Sequence, residues 1–357
     1  MVMRIAKIAI TLCLFVAAFF GLQQLLVPKY MSGVYEGALI GEYYAEEKKH
    51  DLIIIGDCEV YASISPVTLW EKYGISSYIR GGPQQLVWHS YYLLEDTLRY
   101  EKPRAVIFNV LAMRYGEPQR ESYNRLNIDG MRLSPSKIAS ARVSIKEGES
   151  VLSYVFPLLR FHSRWDWLQN DGLGVDDFKY YFDRNKVSVN GFMVNCGVKP
   201  ADFVPDGKKL PDYRFSDRCY DYLDRITNLC KENGIELILI KAPSNYPYWY
   251  SQWDKQMVAY ADEHGLIYKN CFELADEIGI DLATDTYDGG QHLNVYGAEK
   301  LADYLGAIVA DFVPDRRQDS DYARIWDEKA RAYHWMVDAQ ERELAETGVI
   351  ETYVFSG

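Results

Sequence analysis

The stretch DLIIIGDCEVY, Asp51 to Tyr61, sets four consecutive apolar residues, Leu52 to Ile55, directly before Gly56, Asp57 and Cys58. A short β-branched run closed by glycine and followed by a helix-compatible segment reads as a buried strand that turns sharply into a helix. Open parallel sheets collect ligands at the carboxyl ends of their strands, so Asp57 and Cys58 are expected at that edge. Taken alone, Cys58 also reads as a small buried apolar residue, the usual state of a free cysteine.

Working outward, Pro66 opens a short amphipathic helix through Leu69, Trp70 and Tyr73, and Gly74 closes it. Ser76 to Ile79 reads as a second strand ended by the turn Arg80-Gly81-Gly82-Pro83, and Leu86 to Tyr100 as a helix. Ala105 to Val110 is a third strand. The alternation predicts right-handed crossovers and an α/β fold with a parallel sheet. It resumes with a helix over Ser216 to Asn233, a strand over Ile235 to Ile240 and a helix over Trp249 to His264. A short strand, Leu266 to Tyr268, one or two helical turns over Phe272 to Ile278 and a helix over Val295 to Phe312 complete the core.

Between them, residues 114–215 break the pattern with a long aromatic stretch, read as an inserted cap that carries its own helices, since a structureless loop of this length is rare. The tail, 313–357, places Tyr322, Ile325, Trp326, Tyr333, Met336 and Val337 at helical spacing over Ser320 to Glu346, followed by a strand-like segment, Val349 to Phe355. One face of that helix should pack on something.

The 357 residues, 48% of them apolar, suffice for one large core with an insertion. A net charge of −12 with no dense Lys/Arg run argues against a nucleic-acid partner, and any polyanionic partner needs a local basic site. From Ile8 to Pro28 no charged residue occurs, after Arg4 and Lys7. Residues 1–28 therefore read as a membrane anchor with the body extracytoplasmic; a signal peptide cleaved near Ala17 and Ala18 is the rival. Residues 29–50 read as a solvated connector. Cys13 falls in the apolar segment, leaving Cys58, Cys196, Cys219, Cys230 and Cys271 outside. If the last four pair, three arrangements are possible and Cys58 is the thiol left over. No zinc spacing, G-x-G-x-x-G or phosphate-loop motif occurs, so no metal or cofactor is implied.

A late loop, DTYDGGQHLNVYGAEK, puts His292 just before a helix with Asp288 and Asp285 upstream. A histidine can take the proton of a nucleophile while a carboxylate fixes its tautomer, so an early nucleophile and a late Asp-His, all at strand ends, converge. On IIIGDCE and HLNVYGAEK the chain resembles the SGNH/GDSL hydrolase superfamily. The resemblance is closest to its membrane-anchored branch of alginate O-acetyltransferase-like and teichoic acid D-alanyl transfer proteins. It covers Asp51 to Val110 and Ser216 to Phe312, with Cys58 at the serine position. The family acid normally stands three residues before the histidine, where this chain has Gly289; Asp288 is one step further back, with Asp285 in reserve.

The resemblance implies a three-layer α/β/α flavodoxin-like sheet over 51–312 with the insertion and the C-terminal extension outside it. It implies a catalytic Cys58, His292 and Asp288, with Gly81 and Asn109 at an oxyanion hole beside the Cys58 N–H. The activity implied is that of an acyl esterase or O-acyltransferase on a cell-surface polysaccharide or acylated glycan, working beside a membrane-bound O-acyltransferase. A catalytically inactive carbohydrate-binding or assembly protein on the same fold is the alternative. Asp57, His162 (with Arg160, Arg164 and Trp165) and Trp249 (with Tyr246, Tyr248, Tyr250 and Trp253) are candidates for substrate contact, with packing as their bland reading.

Overall fold

The computed structural model describes residues 2–26, 35–163 and 186–355. Five strands form one all-parallel sheet: β1 Leu52–Gly56, β2 Ser77–Gly81, β3 Ala105–Asn109, β4 Glu236–Lys241 and β5 Ile267–Asn270. Their order, 2-1-3-4-5, is the doubly wound one in which the chain departs from β1 to either side. The crevice that such an order opens lies outside the carboxyl ends of β1 and β3, where Asp57, Cys58 and Asn109 stand.

β1 and β3 are buried along their whole length on both faces of the sheet, which is why they read as nearly unbroken apolar runs rather than alternations. Leu52 and Ile54 join one apolar layer and Ile53 and Ile55 the other. On the first face lie α2 Cys58–Ser63, α3 Pro66–Tyr73, α9 Val295–Val309 and α10 Ser320–Thr347. On the second lie α4 Val87–Thr97, α7 Asp217–Asn233 and α8 Ser251–His264. Capping fixes their ends. The Ser65 and Ser216 hydroxyls accept the N–H groups of Thr68 and Cys219, and Gly74 and Gly234 end α3 and α7 in the left-handed conformation.

Ahead of the body, α1 Val2–Leu26 includes Met3–Leu22, a run of mean hydropathy 2.3 with none of it buried, long and apolar enough to cross a membrane.

Three expectations change. Residues 35–45 are not a solvated connector: they wind into helical turns and bury Leu39, Ile40 and Tyr43, because the runs Ala38-Leu39-Ile40 and Tyr43-Tyr44 carry enough apolar surface to pack on the body. The insertion does carry helices, among them α5 Glu121–Ile128 and α6 Pro135–Ser144, of which α6 packs on α4 and α5 on α6. Its later part runs along the outer edge of β2, where Ile79 N–H donates to Asn190 O at 2.9 Å and Asn190 Nδ2 to Ser77 O at 2.7 Å. The described part of the insertion thus covers an open strand edge and does not stand apart as a cap. Residues 349–355 form no strand; Gln340 and Glu343 of α10 hold that segment through Thr352 O, Glu351 N–H and Thr352 N–H.

The apolar stripe of the tail has its partner. Trp326 stacks on Trp70 of α3 with ring centres 5.3 Å apart, and Tyr333 and Met336 enter the first core. Trp326→Ala should therefore cost about 3–5 kcal/mol, read as a fall in the urea midpoint with the slope unchanged.

Candidate functional site

Gly56 makes the turn out of β1 at φ 156°, and a Cβ there would lie 2.9 Å from both Asn109 Cβ and a Val60 methyl. Only glycine lets β1 run this close to β3 while reversing into α2. Asp57 is the N-cap of α2, its carboxylate accepting the Glu59 N–H at 3.2 Å. Cys58 is the first helical residue, so its N–H has no acceptor within the helix. Gly81 ends β2 in register with Gly56, and Gly82 N–H reaches Gly56 O at 3.4 Å, which brings the second glycine turn beside the first.

His292 comes from the loop before α9. An isolated bridge between Thr286 and Leu293 closes the loop at its base, and Asn245 N–H holds its tip through Gly290 O at 2.8 Å. Gly289 and Gly290, both at positive φ, tighten the turn enough for Asp288 to reach a residue four positions on. One Asp288 oxygen accepts the His292 N–H at 2.8 Å, and the other meets His292 Nδ1 at 2.6 Å. Asp285 is engaged elsewhere, by Lys300 Nζ at 2.7 Å and Asp281 N–H at 2.8 Å, so Asp288 is the carboxylate on the ring. Tyr287 stacks on the imidazole, 5.7 Å centre to centre and nearly parallel.

The Cys58 thiol and the His292 ring stand close enough for each to shift the other's proton affinity. Since Asp288 takes Nδ1, the nitrogen facing sulfur is Nε2. Burial and the neighbouring Asp57 push the thiol up, and His292 draws it back. Burial works against charge on the ring, yet the sulfur and Asp288 together hold its pKa well above the ordinary imidazole range. The proton of the pair thus sits between a thiol reluctant to release it and a ring prepared to take it. None of the six cysteines is disulfide-bonded, and Cys196, Cys219, Cys230 and Cys271 are buried while Cys58 is partly buried.

Beneath this pair is a buried polar network. Lys241, at the end of β4, donates to Glu59 Oε1 at 2.9 Å, to Ala242 O at 2.6 Å and to Ser244 Oγ at 3.0 Å. Ser244 donates to the same glutamate oxygen. Asn109 donates to Asp57 at 3.1 Å and to Glu59 Oε2 at 2.8 Å, and its carbonyl accepts the Ala242 N–H at 3.1 Å. Burial and Glu59 push the Asp57 carboxyl up to about 6.

The network corrects several expectations. Both donors of the Asn109 amide are used on carboxylates, so it supports the turn and does not point at an oxyanion. Asp57 is a buried cap rather than a substrate contact. Glu59, the acid next to Cys58 in the chain, is paired with Lys241. Trp249 packs its indole among Phe215 and Trp253 of the second core, leaving Tyr246 and Tyr248 of the same loop exposed. His162 lies exposed, its ring nitrogen 3.1 Å from Leu159 O, and Arg160 pairs with Glu121. Arg164 and Trp165 lie outside the described residues. Lys241 was legible in principle: a lysine that ends an apolar strand needs a buried partner. Among the described residues no group of three or more His, Cys, Asp or Glu is arranged to hold a metal ion.

The fully buried Glu59–Lys241 pair gives a stability test. Lys241→Met should cost about 3–5 kcal/mol by leaving a buried carboxylate unpaired, whereas the double variant with Glu59→Gln should recover more than about 1 kcal/mol of that loss in a double-mutant cycle read by denaturant unfolding.

No protein-family model matches the chain, and neither the curated proteins nor the solved structures include a significant match.

Proposed function

We propose that the chain is an SGNH-like acyl-ester enzyme using Cys58 as nucleophile, His292 as general base and Asp288 as the carboxylate that orients the ring. The observation that carries this reading is the Cys58–His292–Asp288 chain at the carboxyl edge of a doubly wound sheet, with Asp288 at 2.6 Å from Nδ1. As sulfur attacks an ester carbonyl, its proton passes to His292 Nε2, and the tetrahedral oxyanion faces the backbone N–H of Cys58. Collapse expels the alkoxide, which takes the proton from Nε2 and leaves a thioester on Cys58. An incoming hydroxyl then gives its proton to Nε2, attacks the thioester carbonyl and departs with the acyl group as the thiol is restored. Water in that role gives hydrolysis; a glycan hydroxyl gives transfer.

The apolar α1 suits a single-pass anchor that holds the body outside the cytoplasm, next to a cell-surface polysaccharide or acylated glycan and a membrane-bound O-acyltransferase. The second reading, a non-catalytic glycan-binding or assembly protein, is favoured by the surroundings of Cys58: burial and Asp57 push the thiol up.

Alkylation and ester turnover separate the two. In the full chain, Cys58 should react faster than Cys196, Cys219, Cys230 and Cys271, and a chromogenic acetyl ester should be turned over with a loss of about 100-fold or more in His292→Ala and in Cys58→Ala. Because its pKa is raised, Cys58 should label faster as pH climbs through the alkaline range. His292→Ala should shift that profile to higher pH by removing the positive partner, and Asp57→Asn to lower pH by removing the like charge. A wild-type protein with no turnover and no preference for Cys58 would leave the second reading standing.

A further inference from the structure

Arg114 is the charged group near the nucleophile that the scheme above does not use. It closes the helical turn Val110–Arg114, which leaves β3 directly after Asn109, so it stands over the same carboxyl edge as Cys58. Its guanidinium carbon lies 4.2 Å from the centre of the Tyr115 ring, and Nη2 donates to the Tyr115 hydroxyl. Its Nε is buried and has no hydrogen-bond partner. Arg125, Arg214 and Arg218 each sit within 4 Å of a carboxylate, whereas Arg114 forms no ion pair among the described residues. A buried guanidinium N–H left open is a standing cost that a ligand oxygen would remove.

We propose that Arg114, with the Tyr115 hydroxyl beside it, is an anion subsite next to Cys58, and that the substrate presents a carboxylate or phosphate there. Nε and an Nη form the planar fork that takes two oxygens of such a group. The rest of the body is acidic, with 51 Asp and Glu against 39 Lys and Arg in the whole chain, so an anionic substrate depends on a local cation of this kind. Position over the site agrees with the electrostatics. Arg114 opposes the rise that burial and Glu59 impose on Asp57, and Tyr115, raised chiefly by burial, feels both Arg114 and the Cys58 sulfur.

The inference rests on Cys58 as the nucleophile, and two reagents test it separately from that reading. Iodoacetate and iodoacetamide alkylate the same sulfur, but only the first carries a carboxylate. In the full chain at low salt, Arg114→Met should slow iodoacetate at Cys58 by about tenfold while iodoacetamide changes by less than about twofold, and Arg114→Lys should recover part of the loss. Unequal folding of the variants is controlled by the iodoacetamide rate. A ratio of the two rates that is the same in wild type and Arg114→Met overturns the subsite even where iodoacetamide labels Cys58 readily. If the sulfur proves inert to both reagents, the nucleophile reading fails, and the subsite is decided by thermal unfolding. Glucuronate or glycerol phosphate should raise the unfolding temperature of wild type and not of Arg114→Met, the larger rise telling carboxylate from phosphate. No rise with either overturns it.

Discussion

The ends of β1, β3 and β4 are tied together by one buried charge pair. Lys241 is fully enclosed, and every donor it has goes to Glu59, Ser244 or the Ala242 carbonyl just past its strand. Such a pair is expensive to bury and tolerable only when its remaining hydrogen-bonding capacity is filled, which Asn109 and Ser244 do here. The arrangement stitches three separate strand ends into a rigid floor. On that floor α2 begins, and so the position of Cys58 is fixed by groups that never reach solvent.

Above the floor, the electrostatics run in opposition. Asp57 must be where it is to cap α2 and receive Asn109, yet its presence, with burial, makes the thiolate costly. Asp288 compensates from the far side by holding the imidazole ready for a proton. The pair is thereby poised between storing its proton on sulfur and passing it to the ring, and an arriving ligand that brings or removes charge can tilt it. Arg114, at the same edge, is the group through which an anionic ligand would do so.

The remaining elements serve to hold this edge in place. The later part of the insertion covers the outer strand β2, and α10 lays Trp326, Tyr333 and Met336 over the first core while Gln340 clamps Val194 and Cys196. Because those residues lie far apart in the chain, the site depends on contacts of long sequence separation. The insertion and tail are therefore structural supports of the central sheet, whatever else their outer surfaces do.

Much of the fold was legible in the sequence because its signals are local. The apolar run Leu52–Ile55 with Gly56, the helix opener Pro66 and the stop Gly74 each act within a few residues, and all are used as read. Motif suggested the pairing of Cys58 with His292; the described structure puts Asp288 rather than Asp285 on the ring. What the tertiary structure alone decided was where polar groups send their hydrogen bonds. Asn109, Glu59 and Lys241 are separated by 50 or more positions, so no local pattern tells that the amide faces two carboxylates or that Glu59 is neutralised. Periodicity records which side of an element is apolar; the identity of the partner across the core is a property of the packed chain.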